Sequence, residues 1–386
     1  MNRTCINIAL LIILAVLTIA TSAGCGGEAE SISPVEETSG PVDTLVLAVT
    51  DTIGLEMGDS SYVFGMILQA AHGADGNIIA LDMQKACLSV YSHDGEFIGN
   101  IGAPGPGPGE FQIPVDFAVF SDGSIAVTDA ISRVISYFDA DGSYTGMMGG
   151  FFPTPPMSIE GCPDGALVGQ HMPMIMTGEN MEMSLELSKW TDDAEPCLTY
   201  LSKPMELEFS GEGQASSTGG PDFDFAVGPD GSVLVAEISD TLFSVIGFSP
   251  EGEEFLNIHE VRDRTPMTQE EIDAGGLGMS IMVMNGEASA DMNRMETTYP
   301  WRNVIGSIGV DSQSRIWVEL AREDLPVFQV YDYSGELLFI AVTDVEFTPV
   351  TRPSFKVDAG GILAYDQDPM DYPKIYLFEL VEQESE

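Results

Sequence analysis

The chain has 386 residues, of which 44% are hydrophobic, so it can form a packed core and is not globally disordered. This length exceeds the ~100–200 residues of an ordinary single core, yet no change in composition divides the region after residue 44, which favours a repeat architecture. Sixty-one acidic residues against 14 basic ones give a formal net charge of −47. That charge repels phosphate backbones, argues against a nucleic-acid partner and suits an exported protein that must stay soluble.

The first 24 residues have the pattern of a secretory signal peptide. Arg3 precedes an apolar run, which is shorter than the ~20 residues of a membrane span and leads to Ala23-Gly24-Cys25. This ending resembles the lipobox of bacterial lipoproteins, which implies that Cys25 is lipid-modified and becomes the mature N-terminus. Ser22 departs from the leucine usual at that position, so ordinary cleavage near Ala23 is the alternative. Residues 25–43 are predicted to be a flexible acidic tether to the cell envelope.

A repeated unit follows, in which an Asp-Gly turn leads to a β-rich run, an acidic residue and a second run. Copies begin near residues 74, 121, 163, 229, 311 and 358. The runs are almost continuously apolar, which indicates strands covered on both faces, as in the blades of a propeller. We therefore predict an all-β, six-bladed β-propeller over residues 44–382, followed by an acidic tail at 383–386. Residues 45–49 and 374–380 are expected to close the ring within one blade.

Local turn chemistry gives a sharper prediction for the second copy. Asp-Gly steps between β-branched runs are typical of tight hairpins, because glycine tolerates positive φ. We expect Gly123 and Gly142 to lie in such turns, with Ile125 and Val127 buried between them.

The segment from Ile101 to Tyr144 resembles an NHL repeat. It runs from a glycine-rich loop through Phe, Pro, an apolar strand, Asp-Gly, a second strand and Asp to a Phe-Asp-x-x-Gly turn. The whole body is similar to the six-bladed propeller lipoproteins of bacterial envelopes. This resemblance implies the architecture and an extracytoplasmic interaction role, but no particular chemistry, because propellers host many functions.

One insert, residues 262–303, separates the fourth copy from the fifth. Thr268 and Glu271 have the spacing of a capping box, which predicts a short helix that stops at Gly275. Tyr299, Trp301 and Arg302 follow, and residues of these types often dominate binding interfaces, so we predict ligand contacts there. The alternative is that the aromatic side chains cover the fifth blade and that Arg302 neutralises a local carboxylate.

An acidic column recurs six residues after the turn glycine in four copies, at Asp82, Asp129, Glu237 and Asp366; His171 and Leu320 take this position in the other two. Such carboxylates could bind a cation such as Ca²⁺. Repetition in most blades instead favours a structural role, in which each side chain accepts backbone N–H groups.

Cysteine and methionine offer two further sites. Cys162 and Cys197 flank one blade and are candidates for a disulfide, which would leave Cys87 buried and unpaired. The soft donor atoms that suit Cu(I) are present in His171, Met172, Met174, Met176, Met181 and Met183. Alternating methionines are also typical of one buried strand face. No Cys/His cluster has zinc spacing.

Two classes of function stay open from the sequence. The favoured one is a membrane-anchored propeller that binds a protein, peptide or glycan of the envelope or exterior. The competing one is a metal-dependent hydrolase or lyase, similar to a lactonase, acting at the central channel. That alternative needs three or more carboxylate, Asn or His side chains converging on one point. No G-x-S-x-G elbow supports a serine hydrolase.

Overall fold

Asp-Gly turns form hairpins that organise the blades of this computed structural model. Gly123 has a φ of +85° and Gly142 a φ of +82°, and both turns are closed by backbone hydrogen bonds of 2.9 Å. Ile125 and Val127 are buried between them, so the prediction for this copy is confirmed. The described residues are 42–177, 180–205, 208–209, 215–216, 222–284, 287–295, 299–323, 325–345, 347, 352–366 and 372–382.

Most of the strands belong to six successive blades. In chain order the blade strands are β1 (Thr44–Ile53), β2 (Ile67–His72), β3 (Ile78–Asp82), β4 (Cys87–Tyr91), β5 (Phe97–Ile101), β6 (Pro114–Val119), β7 (Ile125–Asp129), β8 (Val134–Phe138), β9 (Tyr144–Gly149), β10 (Ser158–Gly161), β11 (Leu167–His171), β12 (Met174–Thr177), β13 (Asn180–Trp190), β14 (Leu198–Met205), β17 (Asp222–Val227), β18 (Val233–Ile238), β19 (Leu242–Phe248), β20 (Glu254–Val261), β25 (Ile305–Val310), β26 (Ile316–Leu320), β27 (Val327–Tyr331), β28 (Leu337–Thr343), β29 (Ser354–Asp358), β30 (Gly361–Tyr365) and β31 (Ile375–Glu382).

The remaining elements lie in the links between blades. They are β15 (Glu208–Phe209), β16 (Ala215–Ser216), β21 (Thr265–Pro266), α1 (Gln269–Ala274), β22 (Gly276–Met284), β23 (Glu287–Met295) and β24 (Trp301–Arg302). Thr268 and Glu271 form the predicted capping box of α1, and the helix ends at Gly275 as expected. In the described part of the chain, no helix is long and apolar enough to cross a membrane.

Each blade is an antiparallel sheet built outward from its first strand. The first, second and fourth blades are β2-β3-β4-β5, β6-β7-β8-β9 and β17-β18-β19-β20. The third is β10-β11-β13-β14, with β12 paired to the other end of β13. The fifth is β25-β26-β27-β28, and the sixth is β29-β30-β31-β1. The six blades correspond to the six predicted copies of the repeat.

The two ends of the ring close within the sixth blade. Strand β1 pairs antiparallel with β31, from Leu45 opposite Glu382 to Ile53 opposite Ile375. This confirms the predicted pairing of the first and last apolar runs. Strand β1 also pairs parallel with β28 of the fifth blade over Thr44–Leu47, a link that the repeat pattern does not predict.

Apolar side chains fill the spaces between neighbouring blades. For example, Leu88 of the first blade packs in one cluster with Phe117, Val127 and Phe138 of the second. Because each blade is covered on both faces, its strands are apolar at successive positions instead of alternating. The hydrophobic effect therefore holds the ring together across every such boundary.

Hydrogen bonds between innermost strands add a second connection. At five of the six boundaries, a side chain of one innermost strand accepts a backbone N–H of the next blade's innermost strand. The donor–acceptor pairs are Phe117 to Gln69 (3.1 Å), Ile159 to Asp116 (2.7 Å), Val227 to Glu160 (2.8 Å), Ile308 to Asp224 (2.9 Å) and His72 to Asp358 (3.0 Å). Buried carbonyl and carboxylate oxygens are thereby satisfied, which fixes the spacing of the blades.

At the boundary between the fifth and sixth blades, the backbones of strands β25 and β29 approach each other closely. A Cβ atom on Gly309 would lie 2.6 Å from the carbonyl oxygen of Val357. We expect Gly309→Ala to lower the free energy of unfolding by about 1–3 kcal/mol in urea denaturation, because the two strands must separate.

Gly146→Ala is the matched control for this substitution. Gly146 also lies in a strand, but a Cβ atom on it would meet nothing within 4 Å. Equal stability of the two variants would show that the close approach at Gly309 is not required.

The predicted bridge between Cys162 and Cys197 is not formed. Both are free thiols, Cys162 buried and Cys197 exposed. The Sγ and backbone N–H of Cys197 both donate to the carbonyl oxygen of Lys189, at 3.3 and 2.8 Å. This local hydrogen bonding places the thiol at the surface, which sequence separation alone does not reveal. Cys87 is also free and is buried.

Candidate binding site in the central channel

Polar side chains interrupt the apolar innermost strands at one level of the channel. Asp116 stands within the run PVDFAV of β6, and Asp224 within DFDFAV of β17. Each blade contributes one such residue to the wall of a cavity of about 590 Å³. These residues are Gln69, Asp116, Ser158, Asp224, Ser307 and Ser354.

The pairing register places them at a common height. The residues opposite Asp116, Ser158 and Asp224 on the second strands each lie five positions after the turn glycine. The turns themselves repeat from blade to blade, so equal distance from the turn means equal depth in the channel. We call this space the linker-side cavity, because it lies where the links between blades enter the innermost strands.

An ion pair lies across the channel, two residues closer to the turns along the innermost strands. Lys356 of the sixth blade contacts the carboxylate of Glu160 of the third. At this level the other four blades carry only small residues, Ala71, Ala118, Ala226 and Gly309. Both members of the pair line the linker-side cavity, and both also line a second cavity of about 420 Å³, here called the turn-side cavity. The pair therefore lies between the two spaces.

Burial controls the charge of the linker-side cavity. Loss of water raises the pKa of Asp116 to about 7, against the opposing effects of its hydrogen bond from Ile159 and the charge of Lys356. Burial likewise raises the pKa of Asp224 to about 6. The pKa of Glu319 is raised for the same reason, although Arg352 lies 3.5 Å away.

Lys356 stays protonated despite its surroundings. Burial acts to lower its pKa, but the charge and hydrogen bond of Glu160, together with Asp116, raise it above the ordinary value. Carboxylates with raised pKa values beside a fixed ammonium, within a cavity, are typical of functional sites. Such a site can accept hydrogen bonds and neutralise an incoming positive charge.

The predicted contact residues of the insert are largely engaged within the fold. Buried Arg302 forms two hydrogen bonds with Glu271 (2.8 and 2.9 Å), and a third with the carbonyl oxygen of Arg322. Arg302 therefore neutralises the carboxylate of Glu271, which is the alternative to ligand binding given for this residue above. Tyr299 donates to Asp240 at 2.7 Å but remains half exposed.

Trp301 lies between these two residues in β24. The guanidinium of Arg264 stands over its ring at 5.6 Å from the centroid, and Arg264 also pairs with Asp240. The insert is thus fastened to the fourth blade through Asp240. A role of the three predicted residues in ligand binding stays a prediction.

Two members of the acidic column bind the backbone of their own blades, and the other two contact side chains. Asp129 accepts N–H groups from Gln112, Ile113, Ile131 and Ser132, and Asp82 accepts three such groups. Glu237 pairs with Lys203, and Asp366 accepts the Tyr376 hydroxyl. The backbone contacts of Asp82 and Asp129 agree with the structural interpretation. Among the described residues, no group of three or more His, Cys, Asp or Glu is arranged to hold a metal ion.

The candidate copper donors are divided between different surroundings. The Nε2 atom of His171 lies 3.1 Å from the Ser188 hydroxyl, with its ring against the edge of Trp190. Met172 packs on the core between the third and fourth blades. Met174 is half buried, and the side chain of Met176 lies outside the described residues.

Sequence reasoning missed the polar ring of the channel. Its signal was a polar residue seven positions before the turn glycine, as at Gln69, Asp116 and Asp224. The more conspicuous acidic position, six residues after that glycine, belongs to the structural carboxylates. For Lys356 no spacing signal exists, because the turn of the sixth blade is shorter.

A family model that matches part of the chain names the same architecture. Residues 54–149 match the family model DUF5128, described as a 6-bladed beta-propeller. No curated protein matches the chain. Similar solved structures include a gluconolactonase from Xanthomonas campestris (13% identity, 88% of this chain and 99% of that chain, TM-score 0.42). Others are a virginiamycin B lyase from Staphylococcus aureus (12%, 87% and 89%, 0.40) and a duf4221 family member from Bacteroides vulgatus (8%, 88% and 99%, 0.45). The chain is an all-β, six-bladed propeller with one short helix in its described residues.

Proposed function

We propose that this propeller is a membrane-anchored, extracytoplasmic binding protein that takes a cationic side chain of a protein or peptide partner into its linker-side cavity. The observation that supports this most is the charge of the cavity. Four carboxyl groups line it, those of Asp116, Glu160, Asp224 and Glu319, against the two cations Lys356 and Arg352. The excess of acceptors favours a ligand that brings hydrogen-bond donors and positive charge.

A positively charged ligand would stabilise the ionised carboxylates of this cavity. Burial disfavours the ionised forms of Asp116 and Asp224, and an ammonium or guanidinium nearby would favour them again. The acidic surface of the whole protein adds a long-range field that steers cations toward the channel. A cavity of about 590 Å³ is also within the size range of ligand sites.

The links between blades supply the surroundings of this site. The insert joins β20 to β25, so it enters on the same side of the ring as the cavity. Tyr299 is half exposed there and offers an amphipathic surface to a partner. The cavity would hold one side chain, while the insert contacts the rest of the partner.

Capture from the cell envelope tests the proposal. We expect Asp116→Asn combined with Asp224→Asn to reduce partner recovery at least about tenfold, since each charge-assisted hydrogen bond contributes about 1.5–3 kcal/mol. Asparagine retains an oxygen for the N–H groups of Ile159 and Ile308, so the blades stay connected. The control is Asp94→Asn, which removes an exposed carboxylate.

Unchanged recovery by the double variant would overturn the proposed site. Recovery of a neutral glycan in place of a cationic protein or peptide would overturn the ligand class. The metal-dependent alternative has less support, because no group of three or more His, Cys, Asp or Glu among the described residues is arranged to hold a metal ion.

Anchoring through Cys25 is part of the same proposal. We expect Cys25→Ser to release the protein from the membrane fraction, because the acyl chains on this thiol would provide the apolar anchor. Fractionation followed by immunoblotting measures the outcome. A variant that is still processed and stays membrane-bound would contradict lipidation at this position.

A further inference from the structure

The turn-side cavity differs in chemistry from the linker-side cavity. Its walls are mainly apolar and include Ala71, Phe120, Ile159, Cys162 and Val357. Its volume of about 420 Å³ lies within the range of small-molecule sites, which are typically apolar with a few convergent polar groups. Nothing in the proposed function uses this space.

His72 is held in one orientation at the wall of this cavity. Its Nδ1 lies 2.8 Å from Oδ1 of Asp358, and its backbone N–H donates to Oδ2 of the same carboxylate at 3.0 Å. The N–H of Gly360 also donates to Asp358, at 2.8 Å. Burial acts to raise the pKa of Asp358, but the hydrogen bonds from the His72 ring and backbone, together with the charge of Lys356, hold it below the ordinary value. The carboxylate is therefore ionised and accepts a hydrogen bond from the Nδ1–H group of His72.

This arrangement makes the other ring nitrogen an acceptor. When Nδ1 of a neutral imidazole carries the hydrogen, Nε2 carries the lone pair. Nε2 of His72 forms no hydrogen bond with any residue that the structure describes, and the side chain is 12% exposed. A molecule in the cavity can therefore donate a hydrogen bond to it.

The charged groups around the cavity already have partners within the fold. Lys356 pairs with Glu160, and Asp358 is bound by His72 and Gly360. Burial raises the pKa of Cys162 to about 12, so its thiol is neutral and contributes an apolar contact. Burying a charged ligand between these mainly apolar walls would cost more free energy of desolvation than burying a neutral one.

We propose that the turn-side cavity binds a small, neutral, mainly apolar molecule with one hydroxyl group, which donates to Nε2 of His72. A phenol has this chemistry and fits the volume. The site is independent of the linker-side cavity, because the Lys356–Glu160 pair lies between them.

Phenol and toluene are the probes that test this site, since they share a shape and differ in the hydroxyl. We expect saturable binding of phenol by calorimetry, about fivefold tighter than that of toluene, as one net hydrogen bond provides. His72→Ala should remove this preference. His93→Ala is the matched control, because His93 is 78% exposed and does not line the cavity.

A second variant avoids the core. Ala74 is exposed and lines the mouth, so Ala74→Trp should block both probes without disturbing the blades. Asp116→Asn with Asp224→Asn should leave phenol binding unchanged, which separates this site from the proposed function. Absent or equal binding of the two probes by the unaltered protein would overturn the proposal. So would a preference retained by His72→Ala, or binding retained by Ala74→Trp.

Discussion

Replacing Lys356 with methionine is expected to lower the free energy of unfolding by about 3 kcal/mol at pH 7.5. Breaking a buried ion pair by removing one partner costs about 3–5 kcal/mol, and the lower end applies because the two side chains retain 21% and 17% exposure. Glu160 would lose its partner, and Asp116 and Asp224 would lose a stabilising charge. Urea denaturation followed by circular dichroism measures this effect.

Two companion variants identify the cause. Lys356→Met combined with Glu160→Gln should regain more than half of the loss, because the uncompensated charge of Glu160 is removed while an amide oxygen still accepts the Val227 N–H. Lys85→Met should cost about 0–1 kcal/mol, since Lys85 is more exposed and its pair with Asp82 is longer, at 3.7 Å. A stability of Lys356→Met within about 1 kcal/mol of the unaltered protein would contradict the role of the pair.

The second large effect is a pH dependence that Asp116 imposes on stability. Its folded-state pKa of about 7 lies above the ordinary value of 3.8, so the folded protein binds this proton more tightly than the unfolded chain does. The resulting stabilisation is fully present below about pH 4 and is lost as the pH rises through about 7. Asp224 acts in the same direction up to about pH 6.

Asp116→Asn should remove this dependence, because the amide resembles the protonated acid. The variant should match the unaltered protein near pH 4 and exceed it near pH 8 by on the order of 2–4 kcal/mol. Denaturation curves across this range measure the difference, with Asp94→Asn as the exposed control. A constant offset between the two proteins at every pH would mean that Asp116 does not titrate in this window.

Local patterns accounted for the architecture. Asp-Gly steps specify hairpins because of the φ preference of glycine, and the turns at Gly123 and Gly142 formed where expected. The capping box of Thr268 and Glu271 is equally local, and it formed as predicted. Closure by β1 and β31 could be predicted because both are apolar runs at the two ends of the repeat region.

Contacts between blades could not be predicted in this way. Which face of a strand meets the channel depends on the packing of all six blades, so Lys356 and Glu160 gave no joint signal. The same holds for Arg302, whose residue type suits a ligand or a local carboxylate equally well, and only the fold brings Glu271 beside it. Cys162 and Cys197 were predicted to pair because they flank one blade, whereas the local hydrogen bonds of Cys197 decide its position.

Proton release on ligand binding tests the linker-side cavity most directly. A blocked Gly-Lys-Gly peptide would be titrated into the protein at pH 7 in two buffers of different ionisation enthalpy, beside the same peptide acetylated on its lysine. Because the pKa of Asp116 is about 7, entry of the ammonium should release up to about half a proton from this carboxyl. We expect binding with proton release for the lysine peptide, and neither for the acetylated peptide nor for Asp116→Asn combined with Asp224→Asn. Equal binding of the two peptides, or binding without proton release, would contradict a cation site at these carboxylates.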